Sequence, residues 1–379
     1  MPKAMAMRRL RLAPAMQAAS PRGGPLEVDQ VRGWELLEPV TGRRYTLVRV
    51  TTRDGFSGWG ECGAIPEHDL VENRSRILGT PATAYEVVRR RLEGQAGLRA
   101  AVDMALLDIV GRYTKAPVYQ ALGGPTRNKA RALAQIEGAT DDQLRASMER
   151  ARSAGYRAFL VPVPEASAAN QGRAFVEKVR RRLESLRAAG GEGFDFALDA
   201  GGALTTGDAA SVSTAVERLH PLWIDEPCRV SNLGAVRKLA AENVTPIGFG
   251  RHLSRAGDFQ DLLREEAVDV LRPAVAVHGI TGIRRIAALA ETYYVAVAPY
   301  HDGGPVATAA ALHLAASLPN FFAQQIPLPA AEPARRMRIE LAGGWSELVV
   351  DGFAQLPTGP GLGIAVDQKA VERYGRSLA

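Results

Sequence analysis

The sequence predicts a two-domain α/β protein, an α+β N-terminal domain followed by a (β/α) barrel. Three observations predict it. A β-branched hairpin pattern near the N-terminus gives way to a long helical block. Two glycines and a proline then break that block at "LGGPTRNKA" (Leu122–Ala130). Beyond the break, short apolar runs alternate with amphipathic stretches, and roughly eight such βα units argue for a closed parallel barrel.

From Glu27 to about Glu61 the chain reads as strands. "YTLVRVTT" (Tyr45–Thr52) is β-branched and alternating, "RDG" (Arg53–Gly55) is a turn signal, and "FSGWGE" (Phe56–Glu61) returns as a second arm. A helical block follows from about Ala82 to Leu122, with Ala101, Ala105, Leu106, Ile109 and Val110 at helix spacing. The strand runs after the break are "RALAQI", "RAFLVPV", "FDFALDA", "PLWIDEP", "TPIGFG", "VDVLRPAV", "YVAVAPY" and "NFFAQQ". Helix-like stretches lie between them at Asp141–Ala154, Ala209–Leu219, Leu233–Glu242, Ala256–Glu266 and Ile280–Thr292. The turn-rich tail from Asp351 to Gly375 reads as an extension rather than another barrel unit.

Composition excludes several classes. The chain has 379 residues, 46% hydrophobic and 23% charged, enough to bury a large core without staples. Its two cysteines, Cys62 and Cys228, lie far apart in no CxxC pattern, so neither a disulfide framework nor a zinc knuckle is indicated. Formal charge is +6 and the pI is near 9.5, which raises an anionic partner. Basic residues are nonetheless interspersed with acidic ones, and the clusters Arg89-Arg90-Arg91 and Arg180-Arg181-Arg182 read as solvated helix faces, so no nucleic-acid partner is expected. No run approaches the roughly 18 apolar residues of a membrane span. The stretch after Arg8-Arg9 is broken by Arg11 and Pro14, so residues 1–24 read as a loose extension and not as an export signal. A cytoplasmic protein with no membrane partner is expected.

Barrel chemistry sits at the C-terminal ends of the strands. Those ends carry Asp199, Asp225 with Glu226, Gly250-Arg251-His252, Pro273-Ala274 and Tyr300-His301-Asp302.

The chain from about residue 27 to its end resembles the enolase superfamily, in particular its mandelate racemase and sugar-acid dehydratase branch. "DGFSGWGE" resembles that branch's capping-domain hairpin, and "AVDMALLDIVGRYTKAPVYQALGGPTRNKARA" (Ala101–Ala132) the helix and exit into the barrel. "LDAGGALTTGDAA", "LWIDEP" and "APYHDGGPVATAAALHLAASLPNF" resemble successive barrel segments, and "LPTGPGLGIAVD" the return to the cap. The resemblance implies a modified TIM (β/α)₇β barrel at 126–344 and a capping domain at 25–125 completed by 345–379. It also implies chemistry: three carboxylates hold Mg²⁺, which stabilises the enediolate formed when a Lys or a His–Asp dyad removes an α-proton.

This sequence departs from that pattern. Asp199 matches the first ligand, and Gly201 stands where relatives carry Asn. Asp225 falls on the second ligand position, usually Glu. Arg251 falls on the third, and a guanidinium cannot coordinate a cation. Leu160 and Pro162 stand at the Lys positions, Ala274 at the dyad Asp, and Gln325 at a common Glu. Counting places Tyr300 at the dyad His, with His301 one residue later, and the register between them stays open.

Two readings follow. In one, the chain acts on a small carboxylate such as a sugar acid by dehydration or racemisation. Arg251, His252 and the capping-loop residue His68 then bind substrate, and His301, Tyr300 and Asp302 are the catalytic candidates. In the other, the chain is a metal-free, inactive descendant that binds a small acid or serves as a structural subunit. Arg251 then joins Asp199, Asp225 and Glu226 in a buried ion network, two of whose carboxylates and one guanidinium leave a net −1. No cofactor is expected; should Mg²⁺ bind, Asp199 and Asp225 are its ligands. Cys228 reads as a small buried hydrophobe, and a homo-oligomer is expected by analogy with the resembling family.

Overall fold

A computed structural model describes residues 25–165, 170–230 and 232–378; the extension expected at 1–24 lies outside them. Strands β1 (Val28–Leu37), β2 (Arg44–Thr52) and β3 (Ser57–Gly63) form an antiparallel sheet. Helices α1 (Glu67–Asn73), α2 (Tyr85–Arg91), α3 (Ala96–Tyr113) and α4 (Val118–Ala121) follow. The helical block expected over 82–122 is therefore divided. Gly94, at φ +94°, interrupts it before α3, and Pro117 starts α4 afresh. Alternation along β2 buries Leu47 and Val48 on opposite faces, since α3 covers one and barrel elements the other. Gly60 lets α3 lie directly on the sheet: a Cβ there would stand 1.8 Å from the Ala101 carbonyl oxygen.

The barrel strands are β4 (Lys129–Gln135), β5 (Ala158–Pro162), β6 (Asp195–Asp199), β7 (Ile224–Asp225), β8 (Ile247–Phe249), β9 (Val270–Leu271), β10 (Ala296–Val297) and β11 (Gln324–Gln325). All pair in parallel from β4 through β10. β11 pairs with β4, and Phe321 just before it bridges to Val297 of β10, which closes the barrel. The expected helices are α5 (Asp141–Ser153), α7 (Thr206–Val216), α8 (Leu233–Glu242), α9 (Ala256–Arg264) and α10 (Val275–Glu291). Three more complete the ring: α6 (Gly172–Gly190), α11 (Pro305–Ser317) and α12 (Glu332–Leu341). Every residue of α11 is buried, so its sequence carries no polar period to reveal it. Arg182 on α6 corrects the solvated reading of its cluster: it is buried and donates to Asp141 at 2.7 Å and to the Pro162 carbonyl at 3.0 Å. The tail forms β12 (Val349–Val350), β13 (Phe353–Gln355), α13 (Gln368–Tyr374) and β14 (Gly375–Leu378). β14 pairs with β1, so the chain's end is a strand of the first sheet.

Strand alternation sorts the barrel residues. Leu133, Leu160, Ala197, Trp223, Val270, Ala298 and Ala323 pack together inside it. Their neighbours Phe159, Leu198, Ile224, Phe249, Leu271 and Val297 face the helices. One step of two beyond the inner set, the strand ends bring Asp199, Asp225, Arg272, Tyr300 and Gln325 to the same face. That parity builds the mouth.

Candidate functional site

Asp225 is the hub of the mouth and is fully buried. Its Oδ1 accepts from Trp223 Nε1 at 2.9 Å and from Arg272 Nε at 2.9 Å. Trp223 fits because Gly248 faces it; a Cβ there would stand 2.5 Å from the indole. Arg272 is also fully buried, lying over the Trp223 ring and donating to the Ala298 carbonyl at 2.9 Å and to Gln325 Oε1 at 2.7 Å. Gln325 in turn donates to Gln135 at 3.1 Å. Arg272 is the residue that the sequence reading missed. Val270 faces inward, so the residue two places on does too, and that signal was present.

Arg251 stands between the two aspartates. Its Nη2 and Nη1 donate to Asp199 Oδ1 at 2.6 Å and Oδ2 at 3.0 Å, and Nη1 lies 3.5 Å from Asp225 Oδ2. Burial lowers its pKa, but the Asp199 hydrogen bonds and the charges of Asp199 and Asp225 outweigh that and raise it overall. Gly201 stands beside the guanidinium at a left-handed φ of +60°, where a Cβ would be in ordinary contact with Nη2 at 3.5 Å. The net −1 expected for the network is thus corrected, because Arg272 adds a second guanidinium, paired with Asp225.

Glu226 meets the network through the backbone. Its Oε1 accepts from the N–H groups of Gly250 at 2.7 Å and Arg251 at 2.9 Å, and its own backbone sits at a left-handed φ of +44°. Burial, then the neighbouring Asp225 charge, push its carboxyl up to about 7.

The remaining candidates divide. Tyr300 lies at the mouth with its ring over both Arg251 and Arg272, and its hydroxyl donates to Asp302 at 2.8 Å. Burial and then Asp302 raise its pKa, which leaves it protonated near neutral pH. His252 is largely exposed, 3.3 Å from Arg251 Nε, and partial desolvation of its ring and then the Arg251 charge lower its pKa. His301 turns away from the mouth. Ala296, Ala298 and Tyr300 share one parity, and His301 has the other. It is 1% exposed; the Gly303 N–H donates to its Nδ1 at 3.3 Å, leaving Nε2 to donate to Thr308 at 2.9 Å. Burial, then Arg338, depress its pKa to about 3. His68 is also apart: it is exposed on α1, with Asp69 at 3.4 Å as its partner. Cys228 is buried and its thiol is pushed up by burial to about 11, which suits a packing residue and not a nucleophile.

A family model described as enolase C-terminal domain-like matches residues 143–370. A second, for the mandelate racemase/muconate lactonizing enzyme N-terminal domain, matches residues 37–123. This chain belongs to the mandelate racemase/muconate lactonizing enzyme family of the enolase superfamily. Among its relatives is a D-galactonate dehydratase of Ralstonia nicotianae, 27% identical, the match covering 88% of this chain and 92% of that one. A D-galactonate dehydratase family member of Streptomyces bingchenggensis is 28% identical over 92% of this chain and 94% of its own. Among solved structures, a putative galactarate dehydratase from Agrobacterium radiobacter, bound to Na and L-malate, is 27% identical. It aligns with a TM-score of 0.83 over 92% of this chain and 95% of that one. The likeness is thus to the sugar-acid dehydratases of the family.

The mouth does not fit the Mg²⁺ that this family typically uses. A magnesium ion needs near-octahedral oxygen ligands. Here both Asp199 oxygens are held by Arg251, and Asp225 Oδ1 is held by Trp223 and Arg272. A dication placed between them would face two guanidinium groups at close range. Among the described residues no three His, Cys, Asp or Glu side chains are grouped to hold a metal. No helix among them is long and apolar enough to cross a membrane.

Proposed function

We propose that this chain is a metal-independent family member in which an ion network replaces the cation, and that it binds a small hydroxy acid beside the closed mouth. The observation that carries this reading is the Arg251 guanidinium held between Asp199 and Asp225. With its donors committed to those carboxylates, Arg251 has little left to offer a substrate carboxylate. The ancestral proton abstraction also lacks a base: Leu160 and Pro162 stand on β5, and His301 is buried and neutral. A cleft of about 870 Å³ opens from Asp199 along Gly201 and Gly202 to Arg229 and Asn232. Arg229 is exposed there with no hydrogen-bond or ion-pair partner among the described residues, and can take a carboxylate, while Thr206 and the Asn232 amide suit hydroxyl groups. Likeness to the D-galactonate dehydratases supports a hydroxylated acid as the ligand class.

Metal content of the purified protein and calorimetric titration with D-galactonate and galactarate, with and without EDTA, test this. Binding should be indifferent to EDTA and lost in Arg229→Gln, and Arg251→Glu should acquire Mg²⁺ affinity. Stoichiometric magnesium in the wild type, or EDTA-sensitive turnover, overturns the proposal.

One observation favours a second reading, in which catalysis survives without metal. Glu226 is the mouth carboxyl poised near neutral pH, where an acid or base works best. Dehydration of a sugar acid that disappears in Glu226→Gln would select it.

A further inference from the structure

A second cleft, of about 640 Å³, lies where the N-terminal domain meets the barrel, between α2 and α3 on one side and α9 and α10 on the other. Four arginines line it: Arg89, Arg99, Arg255 and Arg285. Two share one carboxylate, Glu86, which lies 2.8 Å from Arg89 and 2.7 Å from Arg285, and Glu93 also lines the cleft. The side chains of Arg99 and Arg255 have no hydrogen-bond or ion-pair partner among the described residues. Elsewhere the chain pairs the guanidinium groups it shields from water, as it does at Arg182, Arg272 and Arg338.

Arg99 is the telling one. It is partly buried, and burial together with the charge of Arg89 lowers its pKa against the pull of Glu93 and Asp103. A partly buried guanidinium beside a like charge, with no protein acceptor, favours an anion that supplies one. The floor is apolar and neutral: Phe259 packs edge-on against His278, whose Nε2 donates to the Leu253 carbonyl at 2.8 Å. A cavity of this size with guanidinium groups in its lining and an apolar floor has the build of a small-molecule site.

We propose that this cleft binds a small dianion that bridges Arg99 and Arg255, either a phosphate or a dicarboxylate. Guanidinium forks match both groups in charge and geometry. The site is separate from the barrel mouth and does not rest on the reading of it. Its wall at Ser254–Gly257 nevertheless begins two residues after His252 in the chain, so the control variant is taken from a helix face that lines neither cleft.

The test is thermal denaturation of the full chain with inorganic phosphate and, separately, succinate, at ionic strength held constant with chloride. One of the two anions should raise the midpoint saturably, and which one does distinguishes phosphate from dicarboxylate. Arg99→Gln and the exposed Arg255→Gln should each weaken that response by about tenfold or more in apparent Kd, one lost charge-assisted contact apiece. Arg181→Gln, on the exposed face of α6 and in the lining of neither cleft, should leave it unchanged. Arg99→Gln should also fold without loss of stability, since it removes a like-charge contact. No saturable response to either anion, an equal shift with chloride alone, or an undiminished response in Arg255→Gln overturns the proposal.

Discussion

Arg251 grips Asp199 through both of its terminal nitrogens, Nη2 to Oδ1 at 2.6 Å and Nη1 to Oδ2 at 3.0 Å. This is the bidentate geometry in which a guanidinium serves a carboxylate best. The pair is largely shielded from water, at 8% and 10% side-chain exposure, so neither charge is well solvated without the other.

Removing Arg251 should therefore cost more than a surface ion pair. Arg251→Ala leaves Asp199 and the buried Asp225 facing each other, and the expected loss is about 3–5 kcal/mol. Urea denaturation of the two proteins measures it. An unchanged midpoint would mean that the network contributes nothing to the fold.

Arg272 should matter at least as much, because it is fully buried and ties Asp225 to Gln325 and the Ala298 carbonyl. Arg272→Met alone should destabilise by about 3–5 kcal/mol or prevent folding, since it strands a buried carboxylate. Arg272→Met with Asp225→Asn should recover part of that loss, giving a coupling of about 1–3 kcal/mol in a double-mutant cycle. Strictly additive losses would show that the two side chains do not act together.

Glu226 sets a pH dependence whose sign is fixed by its raised pKa of about 7. The folded protein holds that proton more tightly than the unfolded chain does. Its contribution is full below the ordinary carboxyl range near 4.5 and is lost as pH rises toward and past 7. Glu226→Gln keeps an oxygen for the Gly250 and Arg251 N–H groups and cannot ionise. Relative to the wild type, the variant should gain stability between pH 5 and pH 8 by up to about 3 kcal/mol, at roughly 1.4 kcal/mol for each tenfold difference in proton affinity between the folded and unfolded chains. Parallel pH profiles for the two proteins would contradict this.

His301 should behave in the opposite sense. Burial holds its imidazole neutral, with a pKa near 3. Its contribution is present above the ordinary histidine range and is lost as pH falls through that range toward 3. An NMR titration of the imidazole should show no protonation between pH 5 and 8. Titration near the ordinary 6.5 would place the ring in solvent and restore it as an acid–base candidate.

Much of the fold was legible because its signals are local. The alternation of Tyr45–Thr52, the break at Leu122–Ala130 and the βα rhythm after it each depend on a few neighbouring residues. Helix α11 was not legible, since a helix buried on every side has no polar face to mark its period. The site was legible in part. Asp199, Asp225 and Arg251 were found at strand ends, yet Arg272 was passed over for the Pro273-Ala274 beside it. The choice between Tyr300 and His301 needed the inward parity of Ala296 and Ala298, which only the closed barrel defines.

By itself the sequence determined the architecture and the residues available at the barrel mouth, because periodicity and strand ends are properties of short segments. Tertiary structure decided what those residues do. Whether Asp199 and Asp225 face a cation or a guanidinium depends on Arg251 and Arg272 arriving from other strands, with Gly248 leaving room for the Trp223 indole that shares Asp225 with Arg272. Charges that far apart in the chain meet only when the barrel closes, and their pairing in a site shielded from water is what settles their chemistry.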